Sequence, residues 1–307
     1  MIMRVAVIGL HWGHVHINAY RALGHDVVAV ADADYDYCNK VGDMYGIPLR
    51  YSSADELQNL KVDVVSVVVP AKHHNEVLRK VMKLGCAVIC EKPVLGFTAS
   101  QDMYDGLRDD IFFNYAYPFL RDIGVFYEKL KGMGKLRRIE IECLYNLPLN
   151  EGMSTEEMFF ETVSHPVALV VHAVPDIVSA VRTSETSVLA ESSGGTEICI
   201  VCRKEDSIKG IRHRVTVKGS DELVLSGGFT LGSNWHYLPV MFNGKPVSGE
   251  YWPEEDPWYT ANRNSIDCIL RYFSHEQSMD DTLKAGAFCL KKAMIVENIL
   301  NCLKNSR

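Results

Sequence analysis

An α/β fold is predicted: a doubly wound parallel sheet over residues 1–118, followed over residues 119–307 by an α+β domain with one open, mostly antiparallel sheet. Three observations predict it. From residue 3 to about 118, short Val/Ile/Ala runs alternate with amphipathic stretches, the sequence form of repeated βαβ units. After Pro118 the rhythm changes, and strand-like segments gather together with flanking helices, the pattern of a sheet covered on one face. The length of 307 residues exceeds what a single hydrophobic core usually serves, which points to two domains.

The first strands are read at Met3 to Ile8, Asp26 to Ala31, Asp63 to Val69, Cys86 to Cys90 and Ile111 to Asn114. Val64, Val65, Val67, Val68 and Val69 form a nearly continuous β-branched run, so that strand is expected to be buried on both faces, as in a parallel sheet. Between it and the next strand, Val77, Leu78, Val81 and Leu84 stand at helical spacing, and Gly85 ends the helix. Beyond Pro118 come a helix to Leu130, glycines 132 and 134, and a long strand from Leu136 to Leu144. A helix follows Pro166, several strands lie between Ser187 and Val240, and two terminal helices span Ala261 to Phe273 and Thr282 to Leu303.

Composition narrows the function. Hydrophobic residues make up 47% and charged residues 23%, the balance of an ordinary globular protein. A net charge of −7 and a pI near 5.9 argue against a nucleic-acid or anionic-membrane partner, which calls for a basic stripe, and favour a small molecule. Apolar runs are too short to span a bilayer, and Met1 leads directly into a strand without a signal-like segment. The nine cysteines, odd in number and scattered through apolar segments, are expected to be reduced thiols of a cytoplasmic chain. Cys199 and Cys202 have C-x-x-C spacing but lie on a strand, where residues three apart point to opposite faces. No metal site is assigned there, nor to His11, His14 and His16, which fall on a turn and a helix start.

Gly9 closes the first strand and Gly13 opens the following helix, where a pyrophosphate approaches backbone N–H groups and the positive helix end. The segment Gly9-Leu10-His11-Trp12-Gly13 departs from G-x-G-x-x-G by placing His11 at the second glycine and by being one residue short. Asp32 ends the second strand 23 residues past Gly9, near the position of the carboxylate that grips the ribose hydroxyls of a dinucleotide. Asp34 follows and no Arg is close by, so NAD is favoured over NADP, with NADP still open. Asp32 capping the next helix is the competing reading.

The segment Cys90-Glu91-Lys92-Pro93 ends a strand in Glu-Lys-Pro and resembles the glucose–fructose oxidoreductase, inositol dehydrogenase and rhizopine-catabolism (Gfo/Idh/MocA) family. Val64 to Glu76, with Pro70 and His74, resembles that family's fourth strand and turn; the likeness covers residues 3–118 and is patchy beyond. It implies a Rossmann domain in which Leu10, His11, Trp12, Val69, Pro70, His74 and Glu91 join Gly9, Gly13 and Asp32 at the cofactor, with Lys92 catalytic. Independently of family, a lysine at the carboxyl end of a parallel strand reaches the crevice where such sheets bind ligands. The family's Asp followed four residues later by His is matched by Glu161 and His165, with Glu in place of Asp, so His165 is the candidate acid/base and Glu161 its partner. Pro166 is expected in the first turn of a helix with His165 at its entrance. Where the family often carries a further Asp, this chain has Ala168.

The resemblance implies hydride transfer between the nicotinamide cofactor and a sugar, cyclitol or related polyol, in a homo-oligomer, a dimer or tetramer, assembled through the second domain's open sheet. Two other readings stand beside it: a reductase of an imine, enoate or tetrapyrrole on the same fold, and a non-catalytic dinucleotide-binding sensor. Tyr251, Trp252, Trp258 and Tyr259, gathered between Pro239 and Tyr259, suit sugar stacking and loop packing equally and receive no role.

Overall fold

The computed structural model describes residues 1–94, 104–146, 155–184, 186–233, 235–249 and 256–304, without the side chains of 155–161, 303 and 304. In chain order the first elements are β1 (Arg4–Ile8), α1 (Gly13–Ala22), β2 (Asp26–Ala31), α2 (Tyr35–Tyr45), β3 (Leu49–Tyr51), β4 (Val64–Val67), α3 (His74–Val81), β5 (Ala87–Glu91) and β6 (Phe112–Asn114). They are followed by α4 (Arg121–Lys131), β7 (Arg138–Asn146), α5 (Thr155–Ala173), β8 (Ile177–Ser184), β9 (Ser187–Ser192), β10 (Glu197–Lys204), β11 (Gly210–Lys218) and β12 (Glu222–Thr230). The short strands β13 (His236–Tyr237), β14 (Met241–Phe242) and β15 (Lys245–Pro246) come next, then α6 (Pro257–Phe273), α7 (Met279–Lys284), β16 (Phe288–Cys289) and α8 (Leu290–Lys304).

Two units result: Met1–Tyr115 with Asn262–Ala293, and Ala116–Ala261 with Met294–Arg307. In the first, the sheet order is β16-β6-β5-β4-β1-β2-β3, with β1 through β6 parallel and β16 antiparallel to β6. β1 runs between β2 and β4, so successive connections leave it in opposite directions and open a crevice at the carboxyl ends of these strands. All four residues of β4 are buried, the consequence of helices on both faces of a parallel sheet. The helix after β4 is α3, continued by a tight turn to Leu84 and ended by Gly85 at φ 68°.

The second unit is built on the order β15-β14-β12-β11-β7-β10-β9-β8, with β13 beside β12. Only β7 and β10 are parallel among these pairs, so the sheet is mostly antiparallel. Ile139, Ile141 and Cys143 of β7 are buried and alternate with Glu140 and Glu142, which sets one face toward the helices. On the opposite face Glu140 pairs with Arg138 at 2.9 Å and with Lys218 at 2.8 Å.

Two helices differ from the sequence expectation. α5 begins at Thr155 and carries Pro166 in its interior, so His165 sits mid-helix, not at its entrance. Without its N–H, Pro166 leaves one backbone bond unmade, which packing of the apolar run Val167 to Val171 outweighs. The stretch from Thr282 to Leu303 is two helices, separated where Gly286 takes φ 120° and Phe288–Cys289 joins the first sheet.

Lys292 of α8 is 8% exposed, donates to the Leu283 and Ala287 carbonyls at 3.1 Å each, and holds its ammonium 4.3 Å from the Phe288 ring centroid. Burial brings its pKa down from 10.5 to about 7, against the opposing influence of Cys289 and Cys268. Between those values the folded chain binds fewer protons at this site than the unfolded chain, so this contribution to stability rises with pH. Lys292→Met removes it: urea denaturation should show wild-type stability gaining on the variant by about 3 kcal/mol between pH 7 and pH 9.5.

Candidate functional site

The carboxyl ends of β1, β2, β4 and β5 bring together most residues singled out in the sequence. Gly9 leaves β1 with φ 87°, and its N–H donates to the Ala31 carbonyl of β2 at 2.8 Å. A side chain there would stand 2.6 Å from the Val68 and Val69 backbone, so the turn closes against the end of β4 only because Gly9 lacks one. Gly13 packs the helix start onto the sheet: a Cβ would meet Val7 Cγ1 at 3.2 Å and Leu10 Cδ2 at 3.4 Å. Leu10 is buried, whereas His11 and Trp12 are exposed. The His11 ring stacks on Tyr37, centroids 4.9 Å apart.

Asp32 does not cap the next helix. Its Oδ2 accepts the Leu10 N–H at 2.8 Å and its Oδ1 accepts the Asp34 N–H at 3.0 Å. The cap of α2 is Asp34, whose side chain accepts from Tyr37 N–H at 3.0 Å. Asp32 is thus fixed beside the glycine turn, half-buried, at the outer edge of β2. α1, by contrast, begins at Trp12 with no side-chain cap and no acidic residue in its first turn. A helix start with no side-chain cap and no acid in its first turn, glycines at close approach and a carboxylate at the end of the neighbouring strand fit a dinucleotide.

Lys92 follows β5 directly, half-buried, with its N–H 3.3 Å from Glu91 Oε2 and a cis peptide bond to Pro93. Glu91 is 9% exposed; its Oε1 accepts from His16 Nε2 at 2.9 Å and from Asn114 Nδ2 at 2.7 Å. Burial alone would push this carboxyl up, but His16, the Lys92 ammonium and the Asn114 amide together bring it below its ordinary range.

His74 is fully buried and holds backbone. Its Nε2 lies 2.8 Å from the Val69 carbonyl, and its Nδ1 lies 2.8 Å from the Pro93 carbonyl and 3.1 Å from that of Val94. The ring therefore ties the end of β4 to the segment after Lys92. Burial lowers its pKa, while the three carbonyls and the Glu91 charge work the other way. Val69 is half-buried and Pro70 exposed at the same sheet end.

In the second unit, His165 of α5 is half-buried among aromatic rings. It stacks on Tyr117 with centroids 5.7 Å apart and planes inclined by 25°, and lies 4.8 Å from Trp258. Tyr117 also meets His213, Trp235 and Tyr237 at 6.1 to 6.3 Å, so rings from separate elements surround the phenol on which the imidazole stacks. Burial pushes the Tyr117 and Tyr237 phenols well up, which keeps both protonated at neutral pH. Glu161 lies on α5 by its backbone, and its side chain is outside the described residues, as are Tyr251 and Trp252. Among the described residues, no group of three His, Cys, Asp or Glu side chains is placed to hold a metal ion.

Sequence reasoning missed His16 as the partner of Glu91 and missed the rings around His165. Both are assemblies across distant segments; His16 and Glu91 are 75 residues apart, and no local spacing marks them.

Comparison with known proteins agrees with this geometry. Residues 3–109 match the model of the oxidoreductase family with an NAD-binding Rossmann fold, Gfo/Idh/MocA. A trans-1,2-dihydrobenzene-1,2-diol dehydrogenase of Xenopus laevis is 26% identical over 145 residues, 44% of each chain. The chain spans less than half the length of the curated relatives it matches. The crystal structure of a myo-inositol dehydrogenase from Corynebacterium glutamicum superposes with a TM-score of 0.75 at 16% identity, covering 100% of this chain and 97% of that one. The myo-inositol dehydrogenase of Lactobacillus casei, solved with NAD(H) and myo-inositol, gives 0.70 at 16% identity, covering 100% and 96%. At such identity these structures speak to the two-domain fold alone. The glycine turn, Asp32 and Glu91-Lys92-Pro93 all lie within residues 3–109, the part of the chain that is similar to the Gfo/Idh/MocA oxidoreductase family with its NAD-binding Rossmann fold.

Proposed function

We propose that the protein is an NAD-dependent dehydrogenase that interconverts a secondary alcohol and its ketone on a sugar, cyclitol or related polyol. The observation that carries this reading is Asp32, held by the Leu10 N–H at 2.8 Å beside the glycine turn, in the crevice that also receives Lys92. NAD, when bound, supplies hydride acceptance and donation. The residues do the rest. The Gly9-to-Gly13 turn and the start of α1 offer N–H groups to the pyrophosphate, and Asp32 takes the ribose hydroxyls. Lys92 hydrogen-bonds the reacting oxygen, and His165, with Glu161, exchanges its proton. The dihydrodiol dehydrogenase named above supports a cyclic diol or polyol as the substrate class.

Asp32, with Asp34 and Asp36 close by in the chain, repels the 2′-phosphate of NADP. NADH is expected to bind about tenfold or more tighter than NADPH, measured by nicotinamide fluorescence at low ionic strength. The activity itself is tested by a panel of inositols, aldoses and cyclic diols with NAD, following NADH absorbance. Turnover of at least one secondary alcohol is the expected result. Reduction of an imine or enoate with none of the alcohols oxidised would favour the reductase alternative. NADH binding with no turnover of any of them would favour a sensor.

A homo-oligomer, dimer or tetramer, assembled through the outer face of the second sheet is proposed on the same resemblance, and light scattering of the purified chain reads it directly. The proposal of a cytoplasmic protein rests on the reduced-thiol reading; no described helix is long and apolar enough to cross a membrane.

A further inference from the structure

The buried histidine of α1, His16, which the proposed reaction does not use, is joined to the residue beside Lys92. His16 has no exposed surface. Its Nδ1 lies 3.1 Å from Ser66 Oγ, and Ser66 Oγ lies 2.7 Å from the Tyr20 hydroxyl. Its Nε2 lies 2.9 Å from Glu91 Oε1. An ionised carboxylate only accepts, so Nε2 carries the proton and donates to Glu91. Tyr20, Ser66, His16 and Glu91 are thus joined in one buried hydrogen-bonded chain that ends with His16 donating to Glu91. Asn114 closes the other side, with Nδ2 donating to Glu91 Oε1 at 2.7 Å and to Asn262 Oδ1 at 2.6 Å.

A histidine that merely filled the core would be satisfied by backbone carbonyls, as His74 is. His16 instead donates to a carboxylate one residue from Lys92, and that carboxylate's second oxygen faces the Lys92 N–H at 3.3 Å. Successive residues at a strand end point to opposite sides, so anchoring Glu91 inward fixes the direction in which Lys92 leaves the sheet. We propose that His16 is a positioning residue for Lys92, acting through its hydrogen bond to the Glu91 carboxylate. This rests on the reading of Lys92 as the group that meets the substrate oxygen.

Two replacements separate this role from simple packing. The amide nitrogen of His16→Gln falls near the site of Nε2 and preserves the donor to Glu91, whereas that of His16→Asn falls near Nδ1 and reaches only toward Ser66. The readout is competitive acetylation of Lys92 by acetic anhydride, measured by peptide mass spectrometry against the exposed Lys135 in the same sample. His16→Asn and Glu91→Met, which lacks the acceptor, should each raise the Lys92 rate by about tenfold or more, the weight of one hydrogen bond to a charged group, and the double variant no further. His16→Gln should leave it unchanged. Equal rates in the Gln and Asn variants, or additive effects in the double variant, would overturn the proposal. If circular dichroism shows His16→Asn unfolded, Glu91→Met decides alone, and an unchanged Lys92 rate overturns the proposal. NADH titration of the same wild-type preparation is read separately: loss of binding there removes the dehydrogenase reading without altering the labelling result.

Discussion

Lys92→Ala is expected to lower the turnover of the oxidised alcohol by about 10²- to 10⁴-fold, the range contributed by a positioned proton donor or acceptor. The lysine follows β5 at the carboxyl edge of the parallel sheet, half-buried, next to a carboxylate that is itself anchored on two sides. In the proposed reaction its ammonium would stabilise charge on the reacting oxygen, an interaction strongest in the transition state, so the loss is expected to fall on kcat more than on KM. Dinucleotide binding is proposed to draw on the turn after β1 and on Asp32, so the NADH dissociation constant should stay within about twofold of wild type. Small primary amines added to Lys92→Ala should restore part of the rate. A variant with turnover within about threefold of wild type would remove Lys92 from the chemistry.

Gly9→Ala is expected to be the most damaging single-methyl change in the first unit. The residue stands at φ 87°, and the added carbon would meet the Val68 carbonyl carbon, the Val68 oxygen and the Val69 nitrogen at 2.6 Å. None of these is the end of a flexible side chain, so relief requires β1 and β4 to separate beyond Ile8 and Val67. The left-handed backbone adds its own strain of about 1–3 kcal/mol. Together these should lower thermal stability by about 10 °C in a chain of this size and abolish saturable NADH binding. A melting temperature within about 2 °C of wild type would show that the turn can be rebuilt with a side chain.

Much of the first unit was legible because its signals are local. β2 coincides with the apolar run from Asp26 to Ala31, and β4 with the core of the valine run. The short β3, Leu49–Tyr51, was not legible: its three half-buried residues carry no pattern of their own, and it forms because β2 offers a parallel partner. Pro166 was read as a helix start on the ordinary preference of proline for the first turn, but the helix runs through it, since tertiary burial outweighs one lost backbone bond. The break before α8 was hidden because Gly286 stands inside an amphipathic stretch that reads as a single helix.

The candidate site divides in the same way. Gly9, Gly13 and Asp32 were readable as a spacing, and Glu91-Lys92-Pro93 as a motif. His74 was read as a cofactor contact from its neighbourhood in the chain; the fold gives its ring to three backbone carbonyls, which makes it a brace of the crevice. His16 looked like one of three clustered histidines, and helical geometry separates them: His11 lies exposed on the turn, whereas His16 is turned into the core toward a strand far along the chain. The ring contacts of His165 come from Tyr117 and Trp258, which lie in different parts of the sequence and share no periodicity.

The most direct measurement is titration of the purified protein with NADH, following nicotinamide fluorescence, with Asp32→Ala alongside. The account predicts saturable binding by the wild-type chain, weakened about tenfold or more in the variant as the ribose hydroxyls lose their carboxylate. A wild-type protein that binds neither NADH nor NADPH would contradict it, and would mean that the shortened Gly9-to-Gly13 turn no longer accepts a pyrophosphate.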